Sequence, residues 1–169
     1  MSALTGRTLV FEMLERLDAR SGSITLRFPY FVSKAAPVSG VNSLLDHDVE
    51  WCGSVDADGQ FALRVRVVVP ATSLCPCSKQ ISDYGAHNQR SPSTLQPRSA
   101  IPLSIEELIA IAEASASCEV YGLLKRADES SSPSAPPTTR KFVEDLVRDV
   151  AHALDQDARI GGYLIEQKT

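Results

Sequence analysis

Thirteen residues, "CPCSKQISDYGAH", hold Cys75, Cys77 and His87, which are two of the four cysteines and one of the three histidines in the sequence. Set two apart, Cys75 and Cys77 project to the same side of an extended backbone. Cys-x-Cys is too tight for a relaxed disulfide in most geometries. Thiolate and imidazole are good ligands for zinc and similar ions, and His87 reaches the same ion if the loop folds over. The spacing is not the paired Cys-x-x-Cys of a zinc ribbon. On residue types alone, metal binding therefore competes with a plainer arrangement, a buried pair of free thiols beside a surface histidine. Lys79 and Arg90 flank the segment, and Lys125 and Arg126 follow later. Ammonium and guanidinium groups suit phosphate oxygens, and all four bases are equally at home in solvent.

These side chains need a scaffold, and the apolar pattern supplies one. Leu9, Val10, Met13, Leu14 and Leu17 recur at helical spacing. Ile24, Leu26 and Phe28 alternate along a strand. Val49, Trp51 and Val55, then Phe61, Leu63, Val65, Val67 and Val69, predict a β-hairpin turning at Asp58-Gly59 and leading into the cysteine segment. Residues 70–103, rich in Pro, Ser, Asn and Gln, read as a long irregular and therefore functional loop. Ser104 with Glu107 fits a capping box ahead of a helix with Ile105, Leu108, Ile109 and Ala112 inward. After the Ser/Pro-rich breaker 129–139, a second helix is expected over about 140–154, with Val143, Leu146, Val147, Val150 and Leu154 inward. "RIGGYLIEQ" closes as a strand, and no internal repeat is present. Strands joined by a hairpin, then helices, then a strand predict an α+β fold: an antiparallel sheet with two long helices on one face.

A length of 169 residues suits a single domain spanning 1–169, and 43% hydrophobic with 22% charged residues is ordinary for a folded soluble chain. The net charge of −4 lacks the broad basic field of nucleic-acid binders. No window is apolar enough for a membrane span, and the first residues do not form a secretory signal, so a cytoplasmic protein is expected. In that setting the cysteines point to metal binding or reactive thiols rather than a disulfide framework. Cys52 and Cys118 read as structural. His47 and His152 have no evident partner, His152 lying on the exposed side of its helix.

"TSLCPCSKQISDYGAHNQRS" resembles the signature of the type IB GTP cyclohydrolases I, and "FPYFVSKAAPVSGVNSLLDHDVEW", "YGLLKRADE" and "KFVEDLVRDVAHALDQDARI" match further family segments in the same order. The resemblance covers nearly the whole chain. It implies the tunnelling fold, whose modules assemble into barrels with sites between subunits, and hence a homo-oligomer, a tetramer by the family pattern. It implies GTP as substrate, hydrolysed to 7,8-dihydroneopterin triphosphate and formate, the first step toward folate and other pterins. It also implies a divalent metal, Zn2+ or Mn2+/Fe2+, to activate water. Carried over residue by residue, the metal ligands fall on Cys75, His87 and Glu129. Cys77 becomes a neighbouring proton-handling thiol, with ligation left open. Glu144 becomes the carboxylate that accepts hydrogen bonds from N1–H and the 2-amino group of the guanine. Lys79, Arg90, Lys125 and Arg126 become candidates for the triphosphate cradle.

Each role has a plain rival. Glu144 precedes Arg148 by one helical turn and could be half of a surface pair, and Glu129 opens a stretch where solvated acids are common. Against the family pattern, a tandem pair of modules, Met1 falls well inside and Thr169 falls where a segment bearing a further histidine ligand would begin. A partial module with three of four ligands is therefore expected. The alternative to the cyclohydrolase is a catalytically degenerate purine- or metal-binding protein of the same fold. The intact block from Cys75 to Arg90 argues against a different pterin or deazapurine enzyme.

Overall fold

The computed structural model describes residues 3–74, 88–99, 103–131 and 141–168. Helix α1 (Ala3–Arg16) leads into strands β1 (Gly22–Ala35), β2 (Asn42–Val55), β3 (Phe61–Leu74) and β4 (Asn88–Ser99). Helices α2 (Ile105–Ser115), α3 (Arg126–Ser131) and α4 (Val143–Asp155) follow, and β5 (Ile160–Gln167) ends the order. The strands form one antiparallel sheet in the order β1-β2-β3-β4-β5. The expected α+β class is thus observed. Asp56 accepts backbone hydrogen bonds from Asp58 and Gln60, and Gly59 at φ +76° closes the β2–β3 turn as expected.

Strict alternation decides which face of the sheet is covered. Leu45, Val49, Trp51 and Val55 of β2 and Val67 and Val69 of β3 are buried. The main core joins Val49, Val67, Val69 and Leu95 to Leu108, Ile109 and Ala112 of α2 and Val150 and Leu154 of α4. A second cluster sets Val10 and Leu14 of α1 against Trp51 and Val55. The stripe on α1 is narrower than its periodicity suggests, because Leu9 is 40% and Leu17 68% exposed. Helix α2 starts on the capping box foreseen for it: Ser104 Oγ accepts from Glu107 N, and Glu107 accepts from Ser104 N.

The expected loop over 70–103 is corrected. β3 runs on to Leu74, and Asn88–Ser99 forms a central strand despite Pro92 and Pro97. Hydrogen-bonding direction alternates along a strand, so proline fits where its missing N–H faces no partner. The β2–β3 ladder stops at Asp48↔Val68, just before Pro70 would need to donate toward β2. The β3–β4 ladder likewise begins at Val67↔Leu95, just short of Pro97. In the edge strand β1, Pro29 pairs with Asp48 and turns its nitrogen away from the sheet.

At the far end, Arg159 donates to Asp157 at 2.6 Å and to Glu107 of α2 at 2.8 Å, tying the entry of β5 to the start of α2. The Arg159 side chain holds the Asp157 carboxyl below its usual range, at about 2.

Two outcomes follow from this packing. Leu108→Ala removes a side chain with no exposure and lowers unfolding free energy by about 2–5 kcal/mol, whereas Leu9→Ala shifts it by only about 0.5 kcal/mol or less; urea titration of both variants checks the contrast. Because the folded carboxyl of Asp157 titrates below its unfolded value of 3.8, its contribution is complete above that value and is lost as pH falls toward 2. Asp157→Asn therefore flattens the acid limb of a stability-versus-pH curve in that window, and an unchanged slope contradicts the assignment.

Candidate active site

The antiparallel order places the β1–β2 turn, the end of β3 and the start of β4 at one end of the sheet. Leu74 and Asn88 are register partners there, so Cys75 and His87 are each one residue beyond the same paired rung. Cys75, Cys77, Lys79 and His87 themselves lie outside the described residues.

Beyond Val68 the β2-facing edge of β3 takes other partners. Ser117 N donates to Thr72 O at 3.0 Å, and Leu74 N donates to Lys141 O at 2.9 Å. Thr72 Oγ1 accepts from Cys118 N at 2.9 Å and donates to Cys118 O at 2.7 Å. The Ser117 hydroxyl holds Lys141 from both sides, accepting from its N–H at 3.0 Å and donating to its carbonyl at 3.2 Å. Lys141 Nζ completes the fastening on Ser115 O at 3.0 Å and Asp149 at 2.7 Å. Under this network Ala71, Ala116 and Leu146 pack as a small core. The start of α4 is therefore bonded to the residue that precedes Cys75.

Glu144 is solvent-exposed in the first turn of α4, at the helix end where a carboxylate is favoured by the backbone dipole. The plain alternative for it is corrected: Arg148 pairs with Asp145 at 2.9 Å, not with Glu144. Glu129 lies in α3, and its side chain is outside what is described. Lys125 and Arg126 are exposed at the start of α3, and Arg90 is exposed opposite Thr72. Among the described residues no three acidic, cysteine or histidine side chains form a metal cluster.

Several polar residues near this end escaped the sequence reading. Ser73 and Ser91 are fully buried, with their hydroxyls 2.8 Å apart. Serine at every second position of "SPS" in a strand was the available signal, masked by the loop-like composition. His47 is 1% exposed on the covered face, and neither ring nitrogen has a partner among the described residues. Burial pushes its pKa down; Glu113 opposes this, and Lys34 reinforces it. His47 is thus a buried neutral imidazole, while His152 is exposed as expected. Lys34 bridges Glu113 at 2.7 Å and Glu119 at 3.0 Å. Burial would lower the Lys34 pKa, yet the two carboxylates outweigh it and raise it. Gly122 lies so close to β2 that a Cβ there would stand 2.6 Å from Leu44 O, which fixes the path from α2 toward α3.

A five-stranded antiparallel sheet with its helices on one face fits the tunnelling-fold class. The family model described as type I GTP cyclohydrolase folE2 matches residues 2–169, and the chain belongs to that family. It is 56% identical over 160 residues to the GTP cyclohydrolase FolE2 of Burkholderia pseudomallei (strain 1710b), covering 95% of this chain and 60% of that protein. It is 54% identical over 160 residues to the protein of the same name from Burkholderia multivorans, covering 95% of this chain and 59% of that one. The chain thus spans about three-fifths of the length of the curated relatives it matches. No described helix is long and apolar enough to cross a membrane.

The fastening at Ser117 is testable on its own. Ser117 is 5% exposed, so Ser117→Ala leaves a Lys141 N–H without its acceptor and costs about 1–3 kcal/mol. Denaturant unfolding reads the loss, and amide hydrogen exchange in the first turn of α4 quickens relative to that in α1.

Proposed function

We propose that this chain carries the site of a metal-dependent GTP cyclohydrolase, which hydrolyses GTP to 7,8-dihydroneopterin triphosphate and formate, toward folate and related pterins. Family membership over residues 2–169 supports the reaction class. The observation that supports the site is the junction of Leu74, Asn88 and Lys141, which in sequence stand next to Cys75, next to His87 and two residues before α4.

Thiolate, imidazole and carboxylate from Cys75, His87 and Glu129 make a donor set suited to zinc and acceptable to manganese or iron(II). Leu74 and Asn88, next in sequence to Cys75 and His87, pair at the end of the sheet where Asp128 ties the helix of Glu129 to the β1–β2 turn, which supports a fit to a divalent ion. A bound ion supplies a nucleophilic water at neutral pH for attack at C8 of the purine.

The chain's own residues do the remainder. Glu144 accepts hydrogen bonds from N1–H and the 2-amino group of the guanine, which sets the ring's orientation and selects guanine over adenine. Lys79, Arg90, Lys125 and Arg126 balance the triphosphate charge. Cys77 exchanges protons with the opening ring. Release of C8 as formate requires two bonds from C8 to ring nitrogens to be cleaved, with water supplying the oxygens, so the site must hold the ring through successive hydrolytic steps. The working protein is proposed to be a cytoplasmic homo-oligomer, tetrameric by the family pattern.

Formate release from GTP tests the reading, first with metal-free protein and then with zinc, manganese or iron(II). Metal-restored release that disappears on Cys75→Ala and on chelation is expected. Release unchanged by both treatments overturns the metal role, and nucleotide binding without turnover under any metal favours a degenerate binding protein. Glu144→Gln, which keeps the shape and loses the charged acceptor, is expected to lower kcat/KM for GTP at least tenfold.

A further inference from the structure

We infer that Asp128 and Ser39 form a clasp that acts as a positioning device for Glu129, an inference that rests on the reading of Glu129 as a metal ligand. Asp128 is fully buried, though its sequence neighbours in α3 are exposed or polar. A buried carboxylate is costly unless every lone pair is used, and here each oxygen has two donors. Oδ1 accepts from Val38 N at 3.0 Å and Ser39 N at 2.8 Å. Oδ2 accepts from Ser39 Oγ at 2.7 Å and Lys125 N at 2.8 Å.

Capping α3 would need only the bond to Lys125. The three bonds to Val38 and Ser39 are surplus to capping and tie α3 to the turn between β1 and β2. That turn is itself closed by Ala36 N to Val41 O at 3.0 Å and Gly40 N to Ala36 O at 3.1 Å. A six-residue helix is far too short to hold its place alone, so its register on the sheet is set where it is fastened. Glu129 is the next residue after the fastening point, and Lys125 and Arg126 share the same turn. Partners of metal ligands that fix ligand placement commonly change metal affinity by about 10–100-fold when removed.

Zinc affinity by competition with a chromophoric chelator, read beside thermal unfolding, tests the clasp in Glu129→Gln, Asp128→Asn, Ser39→Ala and Ser39→Thr. Expected is weaker zinc binding in Glu129→Gln, a loss of about tenfold or more in Asp128→Asn and Ser39→Ala, and recovery in Ser39→Thr, all in protein that remains folded at the assay temperature. If Glu129→Gln weakens zinc while the folded clasp variants bind as the unsubstituted protein does, the clasp only stabilises the fold and the inference is overturned. If Glu129→Gln leaves zinc binding unchanged, the ligand assignment fails and takes the inference with it. Should Asp128→Asn not fold, Ser39→Ala decides, since it removes one hydroxyl and leaves the carboxylate in place.

Discussion

A missing N–H at Pro70 shapes the end of the sheet on which the candidate chemistry depends. β2 and β3 pair as far as Val68, and the next donor that β3 would turn toward β2 is the one proline lacks. The edge of β3 beyond that point is free for other backbone, and Ser117 and Lys141 take it. One absent hydrogen bond thereby admits two segments distant in sequence, the exit of α2 and the entry of α4. Had β2 continued along β3, the first turn of α4 would have no seat beside Leu74.

The packing follows the same division. Where the ladders are complete, Val49, Val67, Val69 and Leu95 make an apolar floor for α2 and α4. Where they part, the buried groups become polar: Thr72, Ser73, Ser91, Ser117 and Asp128 all lie within the fold there. Such groups are tolerated because nearly all meet partners, and a satisfied polar layer is rigid in a way that an apolar one is not. Rigidity at this end suits the proposed site, whose residues would come from the segment after β3, a short helix and a longer helix. The exceptions include His47, a buried neutral ring, and the hydroxyls of Ser43 and Ser93, none with a partner among the described residues.

Much of this was legible in the sequence. The alternation in β1 to β3, the Asp58-Gly59 turn, the Ser104 capping box and the apolar stripes of α2 and α4 are local signals that the fold left intact. The extension of β3 and the whole of β4 were not, because proline, serine and asparagine describe a loop unless the hydrogen-bonding direction at each position is known. Helix α3 was missed for a related reason: six residues carry no periodicity, and the contact that holds them is a carboxylate bonded to a turn some ninety residues earlier. Cys75 and His87 were legible from residue type as one option, metal binding against free thiols, and the resemblance to a family decided between them; the role of Glu144 was legible only through that resemblance. Their spacing says nothing of Lys141, whose carbonyl accepts from Leu74 N and so ties the approach to α4 to the end of β3.

An anomalous difference map at the zinc edge, from crystals grown with zinc and a non-hydrolysable guanine nucleotide, tests the central claim most directly. One zinc peak beyond the Leu74–Asn88 rung is predicted, within roughly 2.3 Å of Cys75 Sγ and about 2.1 Å of a His87 nitrogen, with the guanine edge on the Glu144 carboxylate. A zinc bound elsewhere, or a nucleotide that does not touch the first turn of α4, would contradict the account.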